Sequence, residues 1–277
     1  MSEATTLSQS SCRFENSDGV METLNSLQLT FEEMYSSSET IADFAVALKK
    51  KRGQNFCTIP FCHTIEAEAL GGEIHLGDKT AGSRAGKLVY SCIEEIISHK
   101  LFEKNDGRIY LMLKACEILK KRGETVVFTV SGPFSILCCL MDTTSFFKIW
   151  RKEPEKAQKY FDHISKEVLD FAQHICESGA DYLSFADPVG TPSILGPKFS
   201  KMMAENFTVS FLKELSNQCL GKTKILICPM TAASLISTNL GEIVDIIDED
   251  TISLIMPVCI KSPISLDLVK KTLKLLK

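Results

Sequence analysis

Five residues with side chains suited to chemistry stand where apolar runs of the sequence end: His63, Glu66, Asp187, Cys228 and Cys259. Asp187 is the sharpest case. The run Tyr182-Leu183-Ser184-Phe185-Ala186 stops at Asp187-Pro188, and a loop rich in Gly, Pro and Ser follows. Burying a charge is costly unless the charge is paired or used. Asp187 therefore either starts a turn or caps a helix, or it accepts a proton or orients a bound molecule. His63 and Glu66 follow the first candidate strand, in Pro60-Phe61-Cys62-His63-Thr64-Ile65-Glu66-Ala67-Glu68. His63 reads equally as a hydrogen-bonded core residue, and the two glutamates as a first helical turn that complements the helix dipole. Cys228 ends Lys224-Ile225-Leu226-Ile227, and Cys259 ends the run through Met256-Pro257-Val258. Either thiol also suits simple packing. Thiolate, imidazole and carboxylate are the usual zinc ligands, and a catalytic zinc takes about three of them.

These residues belong to an alternating series of elements. Asn55 to Phe61, Thr125 to Ser131, Asp181 to Ala186, Lys224 to Cys228 and Thr251 to Pro257 are predicted strands. Glu73 to Leu76 and Ile243 to Ile247 are weaker ones. Helices are predicted over 20–34, 39–51, 87–102, 108–122, 133–150, 154–178, 197–220, 231–240 and 265–276. Near-continuous apolar strands between amphipathic helices imply a parallel sheet covered by helices. Two α/β folds fit: a TIM (β/α)8-type barrel, shortened or incompletely closed near the C-terminus, and a doubly wound open sheet. No GxGxxG follows the first strand, which weakens a dinucleotide-binding version of the second. In a parallel barrel the chemistry collects at the C-terminal ends of the strands. All five residues sit there.

The chain has 277 residues, close to the roughly 250 typical of such a barrel. Its net charge of −4, with no basic patch interleaved with aromatics, argues against a nucleic-acid groove. The longest apolar stretch, Phe134 to Met141, is far short of the roughly 20 residues that span a bilayer. Residues 1–18 read as a flexible leader and 19–277 as a single barrel domain. The 11 cysteines show no CxxC pair and no regular framework, which points to free thiols in a reducing cytoplasm.

At these positions the sequence resembles the uroporphyrinogen decarboxylase superfamily, in its branch of corrinoid-dependent, methylcobamide:coenzyme M-like methyltransferases. Pro60 through Gly72 is similar to that branch's PFC-x-T-x-EAE-x-x-G stretch, and Ser131-Gly132-Pro133-Phe134 to its GPF. Gly179 through Gly190 is similar to GAD…ADP-x-G, and Ile227-Cys228-Pro229 aligns with the end of its H-x-C strand. The resemblance implies a TIM barrel and a zinc ion held by Cys228 and Cys259, with His63 or Glu66 as the candidate third ligand. Asp187, Glu66 and His63, at the strand ends, are the candidate catalytic groups. Gly132, Pro133, Phe134 and Gly190 would shape the space for a methyl-corrinoid carried by a partner protein. A small thiol or folate would accept the methyl group. Two departures stand out. Leu226 occupies the position of the pattern's histidine, and only 30 residues separate Cys228 from Cys259, where the family has a longer segment. Two other functions stay open: a non-catalytic barrel that binds a corrinoid or tetrapyrrole, and a uroporphyrinogen-type decarboxylase. The second lacks the basic N-terminal motif that would hold a polycarboxylate.

Overall fold

A computed structural model describes residues 19–101, 107–246 and 255–276. The expected leader, 1–18, and the first half of the expected strand 251–257 lie outside the described residues. Helices α1 (Val20–Leu27), α2 (Phe31–Met34) and α3 (Ser38–Arg52) precede strand β1 (Cys57–Ile59). Next come α4 (Ile65–Ala69), β2 (Ile74–His75), β3 (Arg84–Ala85), α5 (Ile93–Ile97), α6 (Gly107–Lys121) and β4 (Val126–Ser131). Then α7 (Pro133–Leu137), α8 (Thr143–Lys152) and α9 (Pro154–Glu177) lead to β5 (Tyr182–Ala186). The chain continues through α10 (Pro192–Met203), α11 (Val209–Cys219), β6 (Lys224–Ile227), α12 (Pro229–Ser237), β7 (Gly241–Asp245), β8 (Ile255–Pro257) and β9 (Lys271–Leu275).

The main sheet has five strands in the order β1-β4-β5-β6-β8, and every pairing in it is parallel. Each new strand adds to the same edge. The order never reverses, as it would in a doubly wound sheet, so this is the winding of a TIM barrel. Strand residues alternate between two faces. Cys57, Ile59, Val126, Phe128, Val130, Leu183, Phe185, Ile225 and Ile227 face outward into the large core under the helices. Phe56, Val127, Leu226, Met256 and Val258 face inward and form a second, smaller core with Leu266.

Among the described residues the barrel is not closed by hydrogen bonds between strands. Side chains bridge the gap instead. The Gln54 amide nitrogen donates to the carbonyls of Ile260 at 2.8 Å and Ser262 at 2.6 Å. Asn55 donates to Ser265 Oγ at 2.9 Å. Residues just before β1 are thus tied to the chain just after β8. The two weaker strand predictions do form strands, but outside the barrel: β2 pairs with β3, and β7 with β9, both antiparallel.

Four helix predictions are corrected. Helix 20–34 splits into α1 and α2, where Gln28 turns at φ 56° and Thr30 caps a fresh helix. Helix 87–102 shrinks to α5, because Glu95 accepts hydrogen bonds from the backbone of Ser91 and Cys92 and fixes the start at Ile93. Helix 133–150 splits into α7 and α8, where Asp142 accepts from Ser145 N at 2.7 Å and caps a fresh helix. The expected last helix, 265–276, is a short 3₁₀ turn at Leu266–Leu268 followed by β9.

Candidate active site

The inward-facing residues change character along the strands. The N-terminal half of the interior is filled by Phe56, Val127 and Leu226. Nearer the C-terminal ends, the strand interiors carry Thr58, Thr129, Ser131, Ser184 and Ala186, all small. Small residues leave space. Three cavities of about 420, 40 and 20 Å³ lie at this end, and His63 and Lys261 line all three. The largest falls within the range of small-molecule sites. Its walls include Phe31, Phe61, Pro188 and Val189 on the apolar side, and Cys62, His63, Arg84 and Lys261 on the polar side. Among the described residues no Asp or Glu lines any of the three, while Arg52, Arg84, Lys261 and His63 do. The charged side chains in the described lining are therefore basic, with Arg84 held in an ion pair to Asp78 at 2.6 Å.

His63, Cys228 and Cys259 line the 40 Å³ cavity together, next to Ser184 and Ala186. Strands distant in sequence thus bring the two thiols to one opening. The zinc that the resemblance implies is a separate matter. Among the described residues, no group of three or more His, Cys, Asp or Glu gathers in a way that could hold a metal ion. Leu226, at the pattern's histidine position, is fully buried in the inner apolar core. His63, Cys228 and Cys259 share a cavity wall but, among the described residues, do not gather into a set that could hold a zinc ion.

Asp187 is 3% exposed, and protein donors occupy its carboxylate. Oδ2 accepts from Phe134 N at 3.1 Å; Oδ1 accepts from Ser135 N at 2.9 Å and from Ser135 Oγ at 2.8 Å. It caps α7 from another strand. Burial nevertheless outweighs these hydrogen bonds and pushes its carboxyl up to about 6. Gly132 is required by this contact, because a Cβ there would lie 2.3 Å from the Cβ of Asp187. At Gly190 an added Cβ would sit 3.2 Å from Asp187 Oδ2. Both glycines serve the approach of Asp187. Phe134 has no exposed surface and packs among Phe146, Phe147, Trp150 and Phe161. Gly132, Pro133 and Phe134 do not line the large cavity; Ser135, Cys138 and Cys139, which follow them, do.

Glu66 is 1% exposed on α4. Its Oε1 accepts from Ser131 N at 2.7 Å, and its Oε2 has no partner among the described residues. Burial raises its carboxyl above the usual range, which favours the protonated form. The carboxylate side of this region is anchored by Arg108, which the motif reading missed. This buried arginine donates to Glu68 Oε2, to Cys62 Sγ at 3.5 Å and to Thr64 Oγ1 at 3.1 Å. Its guanidinium lies 5.0 Å from the ring centre of Tyr35. A single arginine opening an otherwise apolar helical face, opposite an E-x-E stretch, was the available signal. Lys261 had none, because its place at the mouth depends on how the chain returns after β8.

Residues 21–244 match the family described as Uroporphyrinogen decarboxylase (URO-D). The chain belongs to the uroporphyrinogen decarboxylase family. Within that family it is similar to a methylcobamide:CoM methyltransferase MtaA of Methanosarcina barkeri strain Fusaro, with 25% identity over 68% of this chain and 56% of the relative. It is also similar to a methylcobamide:CoM methyltransferase MtbA of Methanosarcina acetivorans, with 28% identity over 66% of this chain and 56% of the relative. A solved methyltransferase from Methanosarcina mazei shares the fold, with a TM-score of 0.62 and 22% identity, over 79% of this chain and 66% of that one. The expected branch of the uroporphyrinogen decarboxylase family is thus the one to which these relatives belong. The chain spans little more than half the length of the two curated relatives. Among the described residues, no helix is long and apolar enough to cross a membrane.

Proposed function

We propose that this member of the uroporphyrinogen decarboxylase family takes part in corrinoid-dependent methyl transfer, with a small thiol as acceptor. The observation that carries the reading is the set of cavities at the C-terminal ends of the strands, all sharing His63 and Lys261 and lined among the described residues by no carboxylate. A methyl-corrinoid, presented there by a partner protein, would supply an electrophilic methyl group. Phe31, Phe61, Pro188 and Val189 would exclude water and face the ring. Lys261 would draw in an acceptor that carries negative charge, beside Arg84, whose guanidinium is ion-paired with Asp78 at 2.6 Å. His63, which lines all three cavities, is the residue placed to take the proton from an acceptor thiol. Asp187 and Glu66 would act at one remove, by fixing the loops that carry Ser135, Cys139 and His63. The zinc assistance implied by the resemblance is not part of this reading.

A second reading, a barrel that binds the corrinoid without transferring its methyl group, is favoured by Leu226. Titration with methylcobalamin, followed by absorbance, separates the two. The expected result is a spectral change on binding, then loss of the methyl–cobalt band when a thiol is added. His63→Ala should slow that loss by roughly tenfold to a thousandfold while binding persists. Binding without demethylation, across several thiols and tetrahydrofolate, would leave the second reading. No spectral change at all would remove both. Zinc analysis of the purified protein and of Cys228→Ser tests the omission of the metal: stoichiometric zinc that is lost in the variant would restore it.

A further inference from the structure

Away from the mouth, two thiols touch. Cys176 lies one residue before the end of α9, and Cys219 is the last residue of α11. Their sulfurs are 3.4 Å apart, although 43 positions separate them in sequence. Cys176 is half-buried and Cys219 is buried, and all the described cysteines are free. The pair sits just before β5 and β6 begin, at the opposite end of the barrel from His63 and Lys261. Neither sulfur lines the cavities that share His63 and Lys261.

We infer that Cys176 and Cys219 form a peroxide-sensitive dithiol that closes to a disulfide and staples α9 to α11. Cys176 is the half-exposed member and attacks first. Its thiolate takes one oxygen of a hydroperoxide as the O–O bond breaks; the sulfur loses two electrons and becomes a sulfenic acid, and the peroxide leaves as water or alcohol after protonation. The Cys219 thiol then attacks that sulfur. The S–O bond breaks, its hydroxide takes the Cys219 proton, and water leaves as the S–S bond forms. The sulfurs must close from 3.4 Å to about 2.05 Å. The turn after Cys219 can yield, since it runs through Gly221 at φ 71°. The thiol–thiol contact lowers the Cys176 thiol and raises that of Cys219, which matches attacking and resolving roles.

The test uses the full chain and a small excess of hydrogen peroxide. Peptide mapping without reductant should find Cys176 joined to Cys219, with an intact-mass loss of about 2 Da that dithiothreitol reverses. Closing a loop of this length should raise Tm by roughly 5–10 °C. Cys219→Ser should trap a sulfenic acid that dimedone labels at Cys176. Cys176→Ser should give no cross-link and no label at Cys219. Thermal unfolding of both variants before peroxide checks that they fold, and Cys176→Ala repeats the comparison if either does not. Oxidation of other cysteines with no 176–219 link would overturn the inference. So would dimedone labelling that appears at Cys219 rather than Cys176.

Discussion

Asp187 shows what a buried carboxylate at a strand end does in this molecule. Three protein donors meet it, and two of them are the backbone N–H groups that open α7. Asp187→Ala leaves those donors buried and unmatched, and should destabilise the protein by about 2–4 kcal/mol in urea unfolding. The same carboxyl gives a pH dependence of definite sign. Its folded value is raised from 3.8 to about 6, so the native state binds more protons than the unfolded state between those values. Stability then falls as pH rises through that window, by about 3 kcal/mol from this group alone. Urea midpoints measured from pH 4 to pH 7 should fall less steeply in Asp187→Asn than in the unmutated protein. Glu66 contributes in the same direction, since burial raises it too.

Among the elements, β9 depends most on partners that local sequence does not name. Its residues Lys271-Thr272-Leu273-Lys274-Leu275 suit a helix by propensity, yet β7 offers them an antiparallel edge. Thr272 locks the choice. Its Oγ1 accepts from Ile255 N and donates to Ile255 O, both at 3.1 Å, and so binds β9 to β8. Thr272→Val keeps the shape and removes both hydrogen bonds, leaving a buried N–H and C=O of Ile255 without that partner. It should cost about 1–3 kcal/mol and raise amide exchange at Ile255 more than at β4 or β5. Where local chemistry decides, the sequence is a sufficient guide. Helix α9, with Pro154 in its first turn, buries Ala157, Phe161, Ile164, Val168, Phe171 and Ile175 at helical spacing, and Gly179 at φ 87° follows its end. Both its limits are legible from residue types alone.

For the molecule as a whole, charge is distributed against its sum. The chain carries net −4, yet among the described residues the cavities at the strand ends are lined by Arg52, Arg84, Lys261 and His63 without a carboxylate. Binding of an anionic thiol should therefore weaken as ionic strength rises, and binding of a neutral thiol should change little. Lys261→Gln should raise KM for the anionic acceptor by several-fold and leave the neutral one unchanged; equal effects on both would break the electrostatic account. The same scale holds the closure of the barrel. Gln54 spans the gap between the first and last parallel strands with two hydrogen bonds, so the sheet is bridged where it is not paired.

By itself the sequence determined the alternating elements, the parallel sheet and the collection of His63, Cys228 and Cys259 at one end. These follow from hydrophobic period, turn chemistry and the position of polar residues after apolar runs, all local along the chain. Only the tertiary structure decided that Asp187 caps α7, that Leu226 fills the inner core, and that Arg108 and Lys261 join the site. Each of these depends on which distant surface a side chain meets. A one-dimensional pattern holds the spacing of residues but not the partners that burial brings to them.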